Sequence, residues 1–400
     1  MDEQQIAILL EAASRFPRPQ GVKLSYGTAG FRADASILSS TVFRVGILAA
    51  LRSLKTQAVI GLMITASHNQ VSDNGVKVAD PSGGMLTQEW EPFADSLANA
   101  IDAEDLVRLI IEFVKKENIQ FGVKSAEILL GRDTRPSGES LLEAAKQGIN
   151  SIVGAVATDV GVVTTPQLHW MVRSRNKGMQ ASEAAYFEQL SNSFGCLMDL
   201  KPKETTANVM DDKLTVDGAN GVGGEKLEEL KNFLKEIVID IRNSGKKGGV
   251  LNEGVGADYV QKEKVVPHGF GPNDVGMRLS EKKNTCLKTC TSCIYLEKIM
   301  LFLFWKLMVQ LLSVFTQVKV ADRTAVVTAN AETVVVKPSG LQKVIDAETA
   351  KYPQGRSFIR PSGTEDVIRV YAEASTQEAA ENLAKSVAQH VDQFLGLGSN

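Results

Sequence analysis

"VIGLMITASHNQVSDNGVKV", Val59 to Val78, opens as a run of β-formers and breaks at "TASHN". The apolar, β-branched residues over 57–64 predict a buried strand that ends in a polar loop. The pattern returns in "AEILLGRD", where Ile128 to Leu130 is followed by a charged loop from Gly131. "GESLLEAAKQGINSI" then has helical spacing, with Leu141, Ala145 and Ile149 four apart. "GAVATDVGVV" reads as the next strand, and "TTPQLHWMV" as a helix start with Thr165 as N-cap and Pro166 in the first turn. Strand, loop and helix alternate, which predicts an α/β layered domain with a largely parallel sheet. Ligands bind at the carboxyl ends of strands in such sheets, and "TASHN" lies at one of those ends.

Further along, "RSRNKGMQAS", Arg173 to Ser182, reads as a linker. "KLTVDGANGVGGEKLEELKNFL" gives a strand, a Gly-rich turn and a helix with Leu227, Leu230 and Leu234 on one face, and "EIVIDIRNSG" gives another strand. Near the C-terminus "SFIRPSGTEDVIRVYAEA" reads as strand, loop and strand. The amphipathic helix after it has Leu383, Val387, Val391 and Leu395 at i+4 spacing, with Thr376 as its cap.

The composition of the 400 residues, 44% apolar and 23% charged, is that of a soluble globular protein. A net charge of −3 brings no basic excess for nucleic acid. The N-terminus has early acids and no long apolar core, so no secretory signal is expected and the cytoplasm is the expected site. Cys196 stands alone, while Cys286, Cys290 and Cys293 crowd into "CLKTCTSC", a distribution that fits a reducing compartment better than a disulfide framework. The run Ile299 to Phe315 is short for a membrane span and carries Lys306 at its middle, so a buried helix is favoured over a membrane segment. The cysteines have the spacing of some iron–sulfur sites, but no supporting motif accompanies them. A zinc site would need a fourth ligand, with His268 available but distant in sequence.

Several loops carry groups suited to phosphate chemistry. Ser67 is small and nucleophilic, and the amides around it could hold an anion; the alternative is a polar loop with Ser67 in a local turn bond. "GRDTRPS" sets Arg132, Asp133 and Arg135 after a strand, where two guanidiniums could hold a phosphate bidentately or form ordinary surface ion pairs. "RPSGTEDVIR" brings together Arg360, the hydroxyls of Ser362 and Thr364, the small Gly363, and Arg369 on the next strand, donors that would bind a phosphate dianion. Its alternative is a hairpin built on Ser-Gly. "YGTAGFR" is a Gly-interrupted turn ending in Arg32.

Together, "YGTAGFR", "TASHNQVSDNGVKVADPSGGML", "GRDTRPS", "TTPQLHWMV", "VDGANGVGG" and "FIRPSGTEDVIRVYAEA" resemble the α-D-phosphohexomutase family, in the family's order and over about 24–278 and 318–395. The wording is most similar to members that act on an N-acetylated amino sugar. The resemblance implies an isomerase that works as an intramolecular phosphotransferase. Ser67 would be the phosphoserine and, through its phosphate, a ligand of Mg²⁺. It would pass its phosphoryl group to N-acetylglucosamine 6-phosphate, forming a 1,6-bisphosphate, and take back the other phosphate to leave the 1-phosphate, towards UDP-N-acetylglucosamine. His68 would be a proton-transfer partner, with Arg32, Asn69, Lys77 and Arg132 supporting the phosphoserine loop. Arg360, Ser362, Gly363, Thr364 and Arg369 would hold the phosphate that is not transferred. The implied partner is a small sugar phosphate, with no nucleic acid and no membrane. Oligomeric state is not specified.

The family's metal loop, of the type Asp-Gly-Asp-Ala-Asp-Arg, and its Glu-Ala-Asn-Gly-His sugar loop have no counterpart in the sequence. Both would fall between Arg278 and Val318, where Leu279 to Gln317 resembles nothing in the family. The expected fold is therefore phosphohexomutase-like layered α/β domains plus a small C-terminal α+β domain, incomplete relative to the family. Its divisions are 1–178, 179–278, an atypical junction at 279–317 from an aberrant join, and 318–400. A hard dication wants several carboxylate oxygens together, so such a chain is expected to have little activity. The alternatives are a non-catalytic sugar-phosphate-binding or regulatory fragment, or another phosphohexomutase.

Overall fold

The computed structural model describes residues 1–27, 30–122, 125–199, 213–234, 238–246, 248–263, 265–270, 312–329, 333–362 and 366–395. The strand expected over 57–64 forms as β2 (Ile60–Ile64), with every residue buried. After residues 65–72 the chain returns as β3 (Asp73–Ala79). A link this short cannot hold the crossover that parallel neighbours need, so β3 pairs antiparallel with β2, Ile64 opposite Val76 and Met63 opposite Lys77. β1 (Phe31–Asp34) adds antiparallel to β3. β4 (Ala126–Arg132) and β5 (Ala155–Val162) follow in parallel on the other side. The order is β1-β3-β2-β4-β5. The expectation of a largely parallel sheet is corrected: the sheet is mixed, because the loop that carries Ser67 is a reversal and not a crossover.

Side chains alternate across the strands, and each face is covered by helices. Ile60, Leu62, Ile64, Val76, Val78, Ile128 and Leu130 point into a core shared with α1 (Glu3–Ser14), α2 (Ser39–Thr56), α3 (Glu91–Asn99), α4 (Ala103–Lys116) and α5 (Gly138–Asn150), of which α2 and α5 pack on each other. α2 and α5 cross at near backbone contact, since a Cβ on Gly148 would lie 1.9 Å from the Phe43 carbonyl oxygen. Met63, Ala79 and Leu129 face the other way, onto Leu168, Met171 and Val172 of α6 (Thr165–Asn176). The N-cap of α6 is Thr164, one residue before the expected Thr165: Thr164 and Gln167 form a reciprocal capping box, and Pro166 sits inside the first turn. The expected linker begins inside this helix, which continues to Asn176, and α7 (Glu183–Asp199) follows shortly after.

A second, two-stranded sheet pairs β6 (Lys213–Asp217) with β7 (Val238–Arg242) in parallel. Between them α8 (Val222–Leu230) buries Leu227 and Leu230, and Leu234 is buried just beyond its end. Lys226 of α8 pairs with Glu183 at 2.8 Å, tying this sheet to α7. α9 (Gly256–Glu263) follows.

The chain divides into two compact units, Met1–Phe304 and Trp305–Asn400. The second unit is built on an antiparallel sheet of β8 (Leu312–Lys319), β9 (Arg356–Pro361) and β10 (Val367–Ala374), in the order β9-β10-β8. The helix Gln377–Leu395 covers one face with Leu383, Val387 and Val391, all fully buried. Thr376 Oγ1 accepts the Ala379 N–H at 3.2 Å, the cap expected there. The apolar run's residues Leu312–Phe315 lie in β8, while 299–311 and the cysteine cluster fall outside the described residues. Among the described residues no helix is long and apolar enough to cross a membrane.

Candidate active site

Ser67 stands just past the carboxyl end of β2 in the left-handed region, φ 54°. A non-glycine residue held there costs about 1–3 kcal/mol and persists only where its surroundings fix it. The surroundings do so here. The Ser67 N–H donates to Thr65 Oγ1 at 3.1 Å, and the Thr65 hydroxyl donates to Asp133 Oδ2 at 2.7 Å. Arg135, 1% exposed, donates through Nε to Asp133 Oδ2 at 3.2 Å. Its Nη1 donates to the carbonyls of Gln70 and Asp73 at 2.5 and 2.8 Å. Its Nη2 donates to those of Ser67 and Asn69 at 3.0 and 2.9 Å. An arginine has five N–H donors, and all five of Arg135 are engaged. The reading of "GRDTRPS" as two guanidiniums gripping a phosphate is corrected for this residue: Arg135 is a staple for the loop's backbone. Arg132, at the end of β4, pairs with the exposed Glu139 at 3.0 Å.

Two further cations stand on the α6 side of the sheet. Lys77 lies opposite Met63, and Arg32 opposite Gly75; Arg32 Nη1 also donates to Asn69 Oδ1 at 3.4 Å. Lys77 is 8% exposed and has no ion-pair partner among the described residues. Burial, and then the neighbouring Arg32, push its pKa down from 10.5 to about 8, against the pull of Asp133. Such a site favours an incoming anion. Gly30, before β1, has φ 75°, and a Cβ there would lie 2.2 Å from the Val76 carbonyl oxygen. Only glycine lets "YGTAGFR" deliver Arg32 this close to β3.

His68 is half-exposed, with Nε2 3.8 Å from Asp258 Oδ1. Partial burial holds its imidazole below the ordinary histidine range; Arg32, Lys262 and Arg135 push the same way and Asp258 opposes them. His68 is therefore neutral at neutral pH. Asp258 opens α9, and Lys262 one turn on pairs with its other oxygen at 2.6 Å. Asn69 Nδ2 donates to Asp73 Oδ2 at 2.9 Å.

The sequence reading missed Asn252. Its Nδ2 donates to the carbonyls of Ser67 and Asn69 at 3.0 and 2.8 Å, across more than 180 residues of chain. Asp217 of "VDGAN" anchors the same region. Buried, it accepts from Ala219 N, Asn243 Nδ2 and Gly256 N at 3.0, 2.9 and 2.8 Å. No spacing rule links "LNEG" to "TASHN"; the Asn before a turn-forming Glu-Gly was the only local signal.

In the second unit Arg360 and Arg369 are direct cross-strand partners, so their side chains leave the same face of the sheet. Like charges placed so oppose each other unless an anion lies between or beside them. Next along that face, Phe358 and Tyr371 stack at 4.7 Å. Ser362 is buried, and its N–H donates to the Val367 carbonyl at 2.9 Å. Gly363 and Thr364 lie outside the described residues.

Among the described residues no group of three or more His, Cys, Asp or Glu side chains is arranged to hold a metal ion. The carboxylates nearest Ser67 are committed: Asp133 to Thr65 and Arg135, Asp73 to Asn69, and Asp258 to Lys262. The described residues do not by themselves make a magnesium site.

Comparison with known proteins gives this arrangement a family. Residues 45–107 and 93–186 match the phosphoglucomutase/phosphomannomutase alpha/beta/alpha domain I, and 316–390 the C-terminal domain of the same proteins. The phosphoacetylglucosamine mutase of Arabidopsis thaliana is 45% identical over 554 aligned positions, covering 99% of this chain and 100% of its own. That of Oryza sativa subsp. japonica is 39% identical, covering 94% and 95%. A crystal structure of Aspergillus fumigatus N-acetylphosphoglucosamine mutase in complex with GlcNAc-6P and magnesium superposes with a TM-score of 0.67 at 27% identity, covering 98% of this chain and 100% of that one. The expectations of missing domains, an incomplete fold and an inactive, truncated chain are overturned by this coverage. Two absent short strings test only a few positions, whereas these alignments run nearly end to end on both sides. The reaction class follows from the family: the protein is an isomerase, a phosphomutase of amino-sugar metabolism. The chain belongs to the α-D-phosphohexomutase family, among the phosphoacetylglucosamine mutases.

Proposed function

We propose that this chain interconverts N-acetylglucosamine 6-phosphate and N-acetylglucosamine 1-phosphate, with Ser67 as phosphoryl carrier. The observation that carries the reading is the Ser67 loop. A serine is locked in a left-handed conformation at a strand end, with two buried or half-buried cations, Lys77 and Arg32, on the same side of the sheet.

A phosphate on Ser67 would supply the anion that the Lys77 site lacks. In the first transfer the bond from phosphorus to Ser67 Oγ breaks and one to a sugar hydroxyl oxygen forms. The hydroxyl proton passes to a neutral base, His68 in this reading, which hands it on to the departing Ser67 Oγ. In the second transfer Ser67 Oγ attacks the other phosphorus of the 1,6-bisphosphate, the bond from that phosphorus to the sugar oxygen breaks, and the serine proton passes by way of the same base to that oxygen. Lys77 and Arg32 neutralise charge on the moving group, the largest part of catalysis in such transfers. Arg360, Ser362, Gly363, Thr364 and Arg369 hold the phosphate that stays on the sugar. The crowded cysteines favour a reducing compartment, the cytosol, for this reaction.

Mass spectrometry of the purified protein for phosphate on Ser67, combined with an assay of N-acetylglucosamine 6-phosphate conversion, tests the reading. Phosphate on Ser67 with turnover is expected. A protein that turns over while Ser67→Ala does so equally well would end the proposal.

A further inference from the structure

We propose that Asn252 is a positioning residue for Ser67: its side-chain amide, with the Arg135 guanidinium, closes a four-bond clamp on the loop that carries the serine. The proposal rests on the reading of Ser67 as phosphoryl carrier.

The hydrogen-bond count makes the clamp complete. The carbonyl oxygens of Ser67 and Asn69 each accept one bond from Arg135 Nη2 and one from Asn252 Nδ2. A carbonyl oxygen has two lone pairs, and each of these NH₂ groups has two hydrogens. Every lone pair and every hydrogen in the set is used. The two donors differ in origin. Arg135 follows β4, in the sheet that also holds β2. Asn252 comes from the segment after β7, and that segment is fixed separately. The Asn252 N–H donates to the Ala219 carbonyl at 3.0 Å, and Gly256 N–H to the buried Asp217 carboxylate at 2.8 Å. Asn252 itself has φ 59°, which asparagine tolerates better than most residues.

The segment after β7 thus holds the backbone of the Ser67 loop through a neutral side chain, beside the 3.8 Å approach of Asp258 to His68. Among the described residues the Asn252 side chain hydrogen-bonds only to backbone oxygens, so its loss would move Ser67 Oγ relative to a bound sugar without removing a ligand contact. A shift of about 1 Å in a reacting group costs on the order of a hundredfold in rate.

The test compares Asn252→Asp and Asn252→Gly with the full-length protein. Aspartate has the shape of asparagine and tolerates the same backbone, but its carboxylate cannot donate and faces two carbonyl oxygens. Glycine tolerates φ 59° and removes the amide outright. Two readouts are taken well below the thermal transition: amide hydrogen exchange over residues 66–73, and kcat and KM with N-acetylglucosamine 6-phosphate. Both variants are expected to exchange faster in that loop, with β4 unchanged, and to lose about tenfold to a hundredfold in kcat while KM moves by less than about threefold. Asn252→Asp should be at least as impaired as Asn252→Gly. Wild-type loop protection in Asn252→Asp overturns the clamp, and so does a fall in kcat with loop protection unchanged. If the wild type neither turns over nor carries phosphate on Ser67, the mutase reading fails, and loop exchange in Asn252→Asp still decides the clamp by itself.

Discussion

Replacing Lys77 by methionine is expected to stabilise the first unit and impair the enzyme together. The ammonium is buried beside Arg32 with no ion-pair partner among the described residues, and its pKa falls from 10.5 to about 8. The sign of the linkage is fixed by that direction. Between pH 8 and 10.5 the unfolded chain holds a proton there that the fold does not, so stability rises with pH across this window. Below pH 8 the full cost of the buried charge is present. At 1.36 kcal/mol per pK unit, that cost has a ceiling of about 3 kcal/mol. Lys77→Met keeps the apolar stem and removes the charge, so a gain of about 1–3 kcal/mol at pH 7 is expected, shrinking towards zero near pH 10. The assay is urea unfolding of protein with unphosphorylated Ser67, followed by hydrogen exchange in β2 to β4 at both pH values. With Ser67 phosphorylated the comparison should reverse, because the wild-type ammonium then has its anion. A variant less stable than wild type at pH 7, or a gap that does not change with pH, would refute the reasoning.

Arg135→Lys keeps the charge but has at most three donors for five acceptors, so it should destabilise the first unit by about 2–4 kcal/mol by urea unfolding; a change below about 1 kcal/mol would show that the loop does not depend on the fork. Ser67→Ala should abolish turnover while leaving stability within about 0.5 kcal/mol, since among the described residues only the backbone of Ser67 is hydrogen-bonded and the serine already bears the left-handed φ. Arg369→Ala should weaken N-acetylglucosamine 6-phosphate binding by calorimetry about tenfold or more, with little loss of stability because it removes a charge placed directly opposite Arg360. The acid limb of the pH–rate profile should lie below the ordinary histidine range, since neutral His68 is the competent form and its pKa is lowered; a limb at or above that range would count against His68 as the base.

The parts of this fold legible in the sequence were those with local signals. β2 and β4 are short apolar runs that end in polar loops, and the last helix has a clean i+4 stripe. The antiparallel return of β3 was written in the shortness of 65–72, but reading it required pairing that strand with β2. α2 has no polar face to read, since 14 of its 18 residues are buried. At the site, residue type and a strand end pointed to Ser67, while Lys77 and Arg32 were reached only through the family resemblance. The task of Arg135 was not legible, because a guanidinium that grips carbonyls and one that grips phosphate look alike in a sequence. Asn252 was invisible for a stronger reason: its contacts are with main-chain oxygens, and main-chain partners leave no trace in side-chain identity.

That choice of partner also bears on how one serine can serve two ends of a sugar. The clamp on the Ser67 loop carries almost no net charge: Asn252 is neutral, and the Arg135 guanidinium is balanced by Asp133 at 3.2 Å. Gaining or losing a phosphoryl group on Ser67 changes the local charge by about −1.5 to −2 at neutral pH. A clamp of free cations would tighten on the phosphoserine and slacken on the serine, moving Oγ between the two halves of the reaction. A clamp of balanced donors on backbone carbonyls holds the loop alike in both states and leaves the change in charge to Lys77 and Arg32. On the proposed mechanism this separation is required, because the oxygen that gives up one phosphoryl group must stand in the same place to receive the other.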